Sequence, residues 1–238
     1  MLAALLDRFG WFRKPHPLLL ENRRLFAGFE QTRPLTDYRF VVLDTELTGL
    51  GRRDEIISIG AVRLSGLQIE MGSTFHRLVR PRNLNHNQAT FIHQITPEQL
   101  RESPAIEEVL PEFVEFCGDS LLVGHFLEID MGYLNRAARK VLGGTLANPA
   151  VDTLRLVKAY KEAHLVSEFG YCDQSFSYNL DDLSSEFNLP RFRPHDALED
   201  ALQCAYLFLF LLKKLEGGRV KTLRELHQVG RPLLLRQE

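Results

Sequence analysis

Cysteine is scarce in this chain: Cys117, Cys172 and Cys204 are the only three in 238 residues. None stands in a CxxC spacing and three are too few for a disulfide framework, so the thiols are expected to be reduced, in a cytoplasmic protein. Long apolar runs are missing too. The longest, Ala205 to Leu212, has eight residues, against the roughly 20 that a membrane span needs. A secretory signal is not expected, because Asp7 and Arg8 interrupt the early apolar stretch, no basic region precedes it and no small-residue cleavage site follows. Charge of one sign is also lacking. Lys and Arg number 29 against 31 Asp and Glu, a net charge of −2, which is not the footprint of a protein that coats long nucleic acid. An enzyme that grips a few nucleotides at a metal site stays open. With 45% hydrophobic and 25% charged residues, the remainder is the make-up of one globular domain with a short appendage. Such a domain buries enough core to fold without a disulfide or metal.

The division expected is an N-terminal helical extension over 1–36, a catalytic domain over 37–216 and a C-terminal tail over 217–238. In the extension, Leu2, Leu5, Leu6 and Phe9 share one helical face, Pro15 and Pro17 act as breakers, and a second helix is expected over Leu18–Phe29. This arm either packs on the domain or on a twin subunit, or docks a partner or a membrane surface through Trp11 and its basic neighbours. From residue 38 the pattern turns to strands. Phe40–Leu43 suits a strand buried on both faces, and Ile56–Leu64 and Thr74–Val79 complete an antiparallel meander with a turn at Ser65-Gly66. Further on, a helix capped by Ser103 is expected over Pro104–Phe116, a strand at Leu121–Val123 and a helix from about Ile129 to Leu142. A short strand at Ala150-Val151, a helix over Thr153–Ala163, a loop over 166–178, a helix over Leu180–Phe187 and a long central helix over Asp196–Leu215 complete the order. Three antiparallel strands followed by alternating helix and strand predict an α/β domain with a mixed sheet.

Three segments carry chemistry. Asp44 and Glu46 lie two apart at the end of the first strand, so both carboxylates share a face. Thr48-Gly49-Leu50-Gly51 follows, small enough to turn sharply and approach a ligand. The carboxyl end of a buried strand is where ligand sites form in α/β sheets. Asp130 follows the strand Leu121–Val123, and Glu128 competes with it for the same role. His125 reads as a hydrogen-bonded structural residue. His195 precedes the long helix, Asp196 reads as its cap, Glu199 as a solvated neighbour, and Asp200 faces inward beside Ala197 and Ala201. If Asp44, Glu46, Asp130 and Asp200 converge, each pair at about 4 Å repels by about 4 kcal/mol at an effective dielectric near 20. Divalent cations would neutralise them, and all-oxygen ligands select Mg²⁺ or Mn²⁺ over Zn²⁺. Two such ions clamp the attacking and leaving oxygens of a phosphodiester, and a neighbouring histidine takes the proton of the attacking water. The clusters Arg52-Arg53, Arg77-Arg80-Arg82, Arg136-Arg139-Lys140 and Arg191-Arg193 are candidates for backbone phosphates, or solvated surface. Phe192 either stacks on a base or packs.

Asp44-Thr45-Glu46 with Thr48-Gly49-Leu50, then Val123-Gly124-His125 leading to Asp130, then His195 five residues before Asp200, resembles the DEDDh 3′–5′ exonucleases. That family includes the proofreading (epsilon) subunit of bacterial replicative polymerases, RNase T and oligoribonuclease. The likeness covers about residues 38–215, with Phe91–Thr96 and Val151–Leu154 also similar to family segments. It implies an RNase H-like fold with a five-stranded sheet flanked by helices. By position, Asp44, Glu46 and Asp200 would hold one metal, with Asp44 bridging to a second held by Asp130. His195 would be the general base, and Thr48, Gly49, Leu50 and His93 would line the 3′-terminal nucleotide. The implied substrate is a single-stranded DNA or RNA 3′ end, DNA favoured, releasing nucleoside 5′-monophosphates. The chain departs from the pattern at Phe126 and Gln94, where the family has Asn and Gly, and at Ile129, where it has Phe. Two other readings are a binding module without turnover, suggested by Phe126, Gln94 and the lack of basic charge, and a subunit docked on a polymerase-type partner or on its own copy through residues 1–35.

Overall fold

The structure is a computed structural model that describes residues 14–82, 95–168, 177–215 and 220–229, with side chains left undescribed over 163–168. The expected first helix, Cys172 and most of the 166–178 loop lie outside the described residues. Five strands form one sheet in the order β3-β2-β1-β4-β5. They are β1 (Arg39–Leu47), β2 (Ile56–Ser65), β3 (Gln68–Leu78), β4 (Leu121–Gly124) and β5 (Ala150–Asp152). The first three pair antiparallel, whereas β4 runs parallel to β1 and β5 parallel to β4.

Strand periodicity explains the layers. Phe40 and Val42 point to one face, with Val62, Leu64, Val123 and Val151, and pack on Phe208 and Leu211 of α7 (Ala197–Lys214). Val41 and Leu43 point to the other, with Ile59, Ala61 and Leu122. They meet Phe113 of α3 (Ile106–Cys117) and Leu134 of α4 (Leu127–Val141). Gly60 sets the spacing of the first layer, since a Cβ there would overlap the Ala197 backbone. Only glycine lets the start of α7 lie against β2.

The remaining helices are α1 (Pro17–Leu25), α2 (Pro97–Glu102), α5 (Thr153–Glu168), α6 (Leu180–Glu186) and α8 (Leu223–Val229). α1 is shorter than expected, and Pro17 starts it rather than breaking the chain, next to the cap His16. Its Leu19 is fully buried, and Asn22 bonds Asn148 Oδ1 at 2.7 Å while accepting from the Ala147 N–H. Near the other end of the chain, Leu223 and Leu226 are buried, and Pro34 bridges Thr222.

Three local expectations are corrected. The β2–β3 turn is Gly66-Leu67, both at positive φ (56° and 59°), because Ser65 still pairs with Gln68. Ser103 does not cap the helix that follows. It closes α2, an unexpected helix with a Thr96–Gln99 capping box, and its hydroxyl donates to the Gln99 carbonyl. Finally, α5 extends five residues beyond Ala163.

Candidate active site

Asp44 and Glu46 stand on the same side of β1 near its carboxyl end, and Asp200 stands in the first turn of α7. Gly60 lets α7 approach the sheet, so the three carboxylates converge, with one oxygen of each within 4.8 Å of the others. Asp130, in the first turn of α4, is turned to the backbone between the first two. Its Oδ1 accepts from the Thr45 N–H at 2.9 Å and from the Thr45 hydroxyl at 2.6 Å. Asp130 is buried and Glu128 exposed, which resolves the competition between them.

The electrostatics follow from this crowding. Burial, then the charges of Asp130, Asp200 and Glu46, hold the Asp44 carboxyl well above its ordinary range. Burial pushes Asp130 up to about 7 against the two Thr45 hydrogen bonds, which pull it down. Asp200 is pushed up to about 7 by burial and then by Glu46, opposed by the His195 N–H. That N–H donates to Asp200 Oδ2 at 3.0 Å. His195 itself sits at φ 65° and is exposed. It lines a cavity of about 200 Å³ with Ser58, His76, Gln99 and Arg193. The donor set is all oxygen and carries excess negative charge, which fits hard divalent cations.

The Thr48–Asp54 loop is rigid for reasons the sequence motif does not display. Asp54 accepts from the Thr48 hydroxyl at 2.9 Å and the Gly51 N–H at 2.7 Å. The Tyr133 hydroxyl of α4 lies 3.0 Å from both the Gly49 and Gly51 carbonyls. Arg136 stacks 4.1 Å over the Tyr133 ring and donates to the carbonyls of Arg52 and Asp54. Leu50, between the two held carbonyls, is 76% exposed. Asp54, Tyr133 and Arg136 escape a sequence reading because their partners are backbone atoms some 80 positions away or side chains within a loop. His93 lies outside the described residues.

Other expectations divide. His125 is structural, with Nδ1 2.8 Å from the Thr153 hydroxyl and Nε2 2.6 Å from the Tyr178 carbonyl; burial lowers its basicity. Asp196 caps α7 by accepting from the Leu198 and Glu199 N–H groups. Glu199 is not a bystander: it accepts from the Arg193 N–H and so shapes the approach to His195. Phe192 packs, stacked on Tyr206 with centroids 5.8 Å apart. Among the basic candidates, Arg77 pairs with Glu112 and Arg82 with Glu107, and Arg136 is spent on the loop.

The chain matches the exonuclease family (RNase T) over residues 41–208. It belongs to that family. The DNA polymerase III epsilon subunit of Aquifex aeolicus is 34% identical over 76% of this chain and 84% of its own length. The PolC-type DNA polymerase III of Thermotoga maritima is 36% identical over 81% of this chain, which spans only 13% of that polymerase. Among solved structures, exonuclease X in complex with 5′-overhanging duplex DNA superposes with a TM-score of 0.58 at 23% identity, covering 81% of this chain and 99% of that one. Escherichia coli exonuclease I with a dA16 oligonucleotide gives 0.64 at 17% identity over 80% and 42%. At such identities the likeness shows the fold, which is RNase H-like as expected for an exonuclease-family chain. No helix among the described residues is long and apolar enough to cross a membrane.

Proposed function

We propose that the chain is a metal-dependent 3′–5′ exonuclease that releases nucleoside 5′-monophosphates from single-stranded nucleic acid, DNA favoured. The convergence of Asp44, Glu46 and Asp200 within 4.8 Å at one strand end carries this reading. These three would hold one Mg²⁺ or Mn²⁺, and Asp44 with Asp130 a second. Bound there, such ions supply the positive charge that lets a phosphodiester approach four acids and that stabilises its transition state. The residues of the chain do the rest. Thr45 steers the Asp130 carboxylate through two hydrogen bonds. The Thr48–Leu50 backbone, held by Tyr133 and Asp54, lines the terminal nucleotide. His195, tied through its N–H to Asp200, takes the proton of the attacking water on its imidazole. The test is incubation of the pure chain with Mn²⁺ or Mg²⁺ and paired DNA and RNA oligomers labelled at either end. Stepwise shortening from the 3′ end with mononucleotide product is expected, DNA faster; intact oligomers would refute the reading.

The relatives named as polymerase III chains favour a second element: the protein works beside a replicative-type polymerase. Leu19 and Asn22 of the 1–35 segment are buried in the body, so docking through that segment falls to its exposed side chains, such as Leu20 and Leu25. Loss of complex formation on Leu20→Asp with hydrolysis retained is the expected result.

A further inference from the structure

Six large apolar side chains are exposed among the described residues, and three of them lie on segments that also carry or follow the acids: Leu50 on the loop after β1, Phe126 and Ile129 at the start of α4. Single exposed apolar residues need no explanation. The backbone relates these three to the acids. Phe126 lies just past the carboxyl end of β4, which runs parallel to β1, whose own carboxyl end carries Asp44 and Glu46. The Ile129 N–H donates to the Phe126 carbonyl at 2.9 Å across the first turn of α4. Tyr133, one turn further along, holds the carbonyls on either side of Leu50.

Phe126 is the unusual member. Its φ of 54° and ψ of 36° lie in the left-handed region, which disfavours every residue with a Cβ and bulky ones most. It also occupies the cap position of α4 without supplying a side-chain cap. The conformation is pinned from both sides, since the Asp152 carboxylate takes the Phe126 N–H and Ile129 takes its carbonyl. Phe126 is 41% exposed as a residue, and its ring meets that of His125 in a T-shaped arrangement with centroids 4.9 Å apart. His125 is itself fixed by Thr153 and the Tyr178 carbonyl. Asparagine at this position would relieve the backbone, since it tolerates the left-handed region better than phenylalanine. An aromatic held there, half open to solvent and backed by a fixed imidazole, is strain of the kind kept at working sites.

We propose that Phe126 is a stacking platform for an unpaired base of the bound strand. This rests on the exonuclease reading and deepens it. Every base has a π-face, so such a platform accepts any sequence, but it requires a base freed from its duplex partner. The specificity it confers is for frayed or single-stranded 3′ ends.

The test compares the full chain with Phe126→Asn and Phe126→Trp. In Mn²⁺, Phe126→Asn is expected to raise KM about 5- to 150-fold on short single-stranded oligomers with intact bases. Little change is expected in kcat, or in KM on an oligomer whose last two sugars are abasic. Phe126→Trp restores the parent KM. A 2-aminopurine in one of the last two positions is quenched at saturating parent protein and less so by Phe126→Asn. The melting temperature of Phe126→Asn equals or exceeds the parent's, by up to about 4 °C. An unchanged KM on intact bases, an equal rise on the abasic oligomer, no quenching at either position, or a lower melting temperature overturns the proposal. A parent inert on every oligomer refutes the exonuclease reading instead, a result distinct from an active parent indifferent to Phe126.

Discussion

Metal loading and protonation should be coupled at the carboxylate cluster, and the size of the coupling follows from the site. Burial pushes Asp130 and Asp200 up to about 7, and burial with the neighbouring acids holds Asp44 well above its ordinary range. At pH 7 the metal-free cluster therefore keeps about one proton on Asp130 and Asp200 together. A hard cation needs the ionised carboxylates, so binding expels this proton. Apparent Mg²⁺ or Mn²⁺ affinity is expected to rise about tenfold or more per pH unit below 7, then to flatten. Calorimetric titration at pH 7 in two buffers of different ionisation heat reads the protons directly. Equal heats in both buffers, with affinity flat from pH 5.5 to 7.5, would refute the reasoning. Stability carries the same sign. Because the folded values of Asp130 and Asp200 are raised, the folded chain holds protons that the unfolded chain has lost between about pH 4 and 7. Their stabilising share is complete below the unfolded value and disappears as pH rises through 7. The metal-free protein should melt lower at pH 8 than these two groups allow at pH 5, and Mg²⁺ should restore it. Asp130→Asn keeps an oxygen for Thr45 and removes the charge. It should raise the metal-free melting temperature at pH 8, with an upper bound of about 4 kcal/mol.

His195→Gln is expected to lower kcat about 10²- to 10⁴-fold with the melting temperature unchanged, since the side chain is exposed; retained turnover would remove it as the base. Tyr133→Phe deletes the hydroxyl whose one proton is shared between the Gly49 and Gly51 carbonyls, at a cost of about 1 kcal/mol. It should raise KM several-fold, non-additively with Arg136→Ala. Gly60→Ala forces a Cβ against the Ala197 backbone and should cost about 1–3 kcal/mol or more; a thermal melt equal to the parent's would show that α7 can retreat freely.

The sheet was legible because its signals are local. Phe40–Leu43 is apolar on both faces and the 56–64 segment ends where turn residues begin, whereas β3 starts at Gln68, six residues before the expected Thr74, because its exposed first half shows no alternation. Asp44 and Glu46 were legible for the same reason, since two-residue spacing at a strand end dictates a shared face. The errors lie where two local signals compete. Ser103-Pro104 reads as a helix start, yet Ser103 satisfies the Gln99 carbonyl of the preceding helix. Ser65-Gly66 reads as a turn, yet the ladder continues to Ser65 and the two positive-φ residues are Gly66 and Leu67. What the sequence could not display is any contact made by a side chain to distant backbone: Tyr133 to Gly49, Arg136 to Arg52, Asn22 to Ala147. Backbone N–H and carbonyl groups are nearly the same at every residue, so no pattern of residue types marks the one that is held.

The cap and first three turns of α4 join three tasks that a motif treats as separate. Asp130 points to Thr45, Tyr133 and Arg136 clamp the loop before β2, and Phe126 and Ile129 present the exposed rim. Residues three and four apart on a helix share a side, so these positions cannot move independently. A shift of the helix start that opened the rim would also draw Asp130 from Thr45 and slacken the loop that carries Leu50. Rigid coupling of this kind gives reacting groups a fixed relation to the strand end, which is where orientation yields most of its rate advantage. It also explains why a left-handed phenylalanine is tolerated at the cap. The helix is anchored by Leu127, Tyr133, Leu134 and Ala138 in the core, and that burial outweighs about 1 kcal/mol of missing cap.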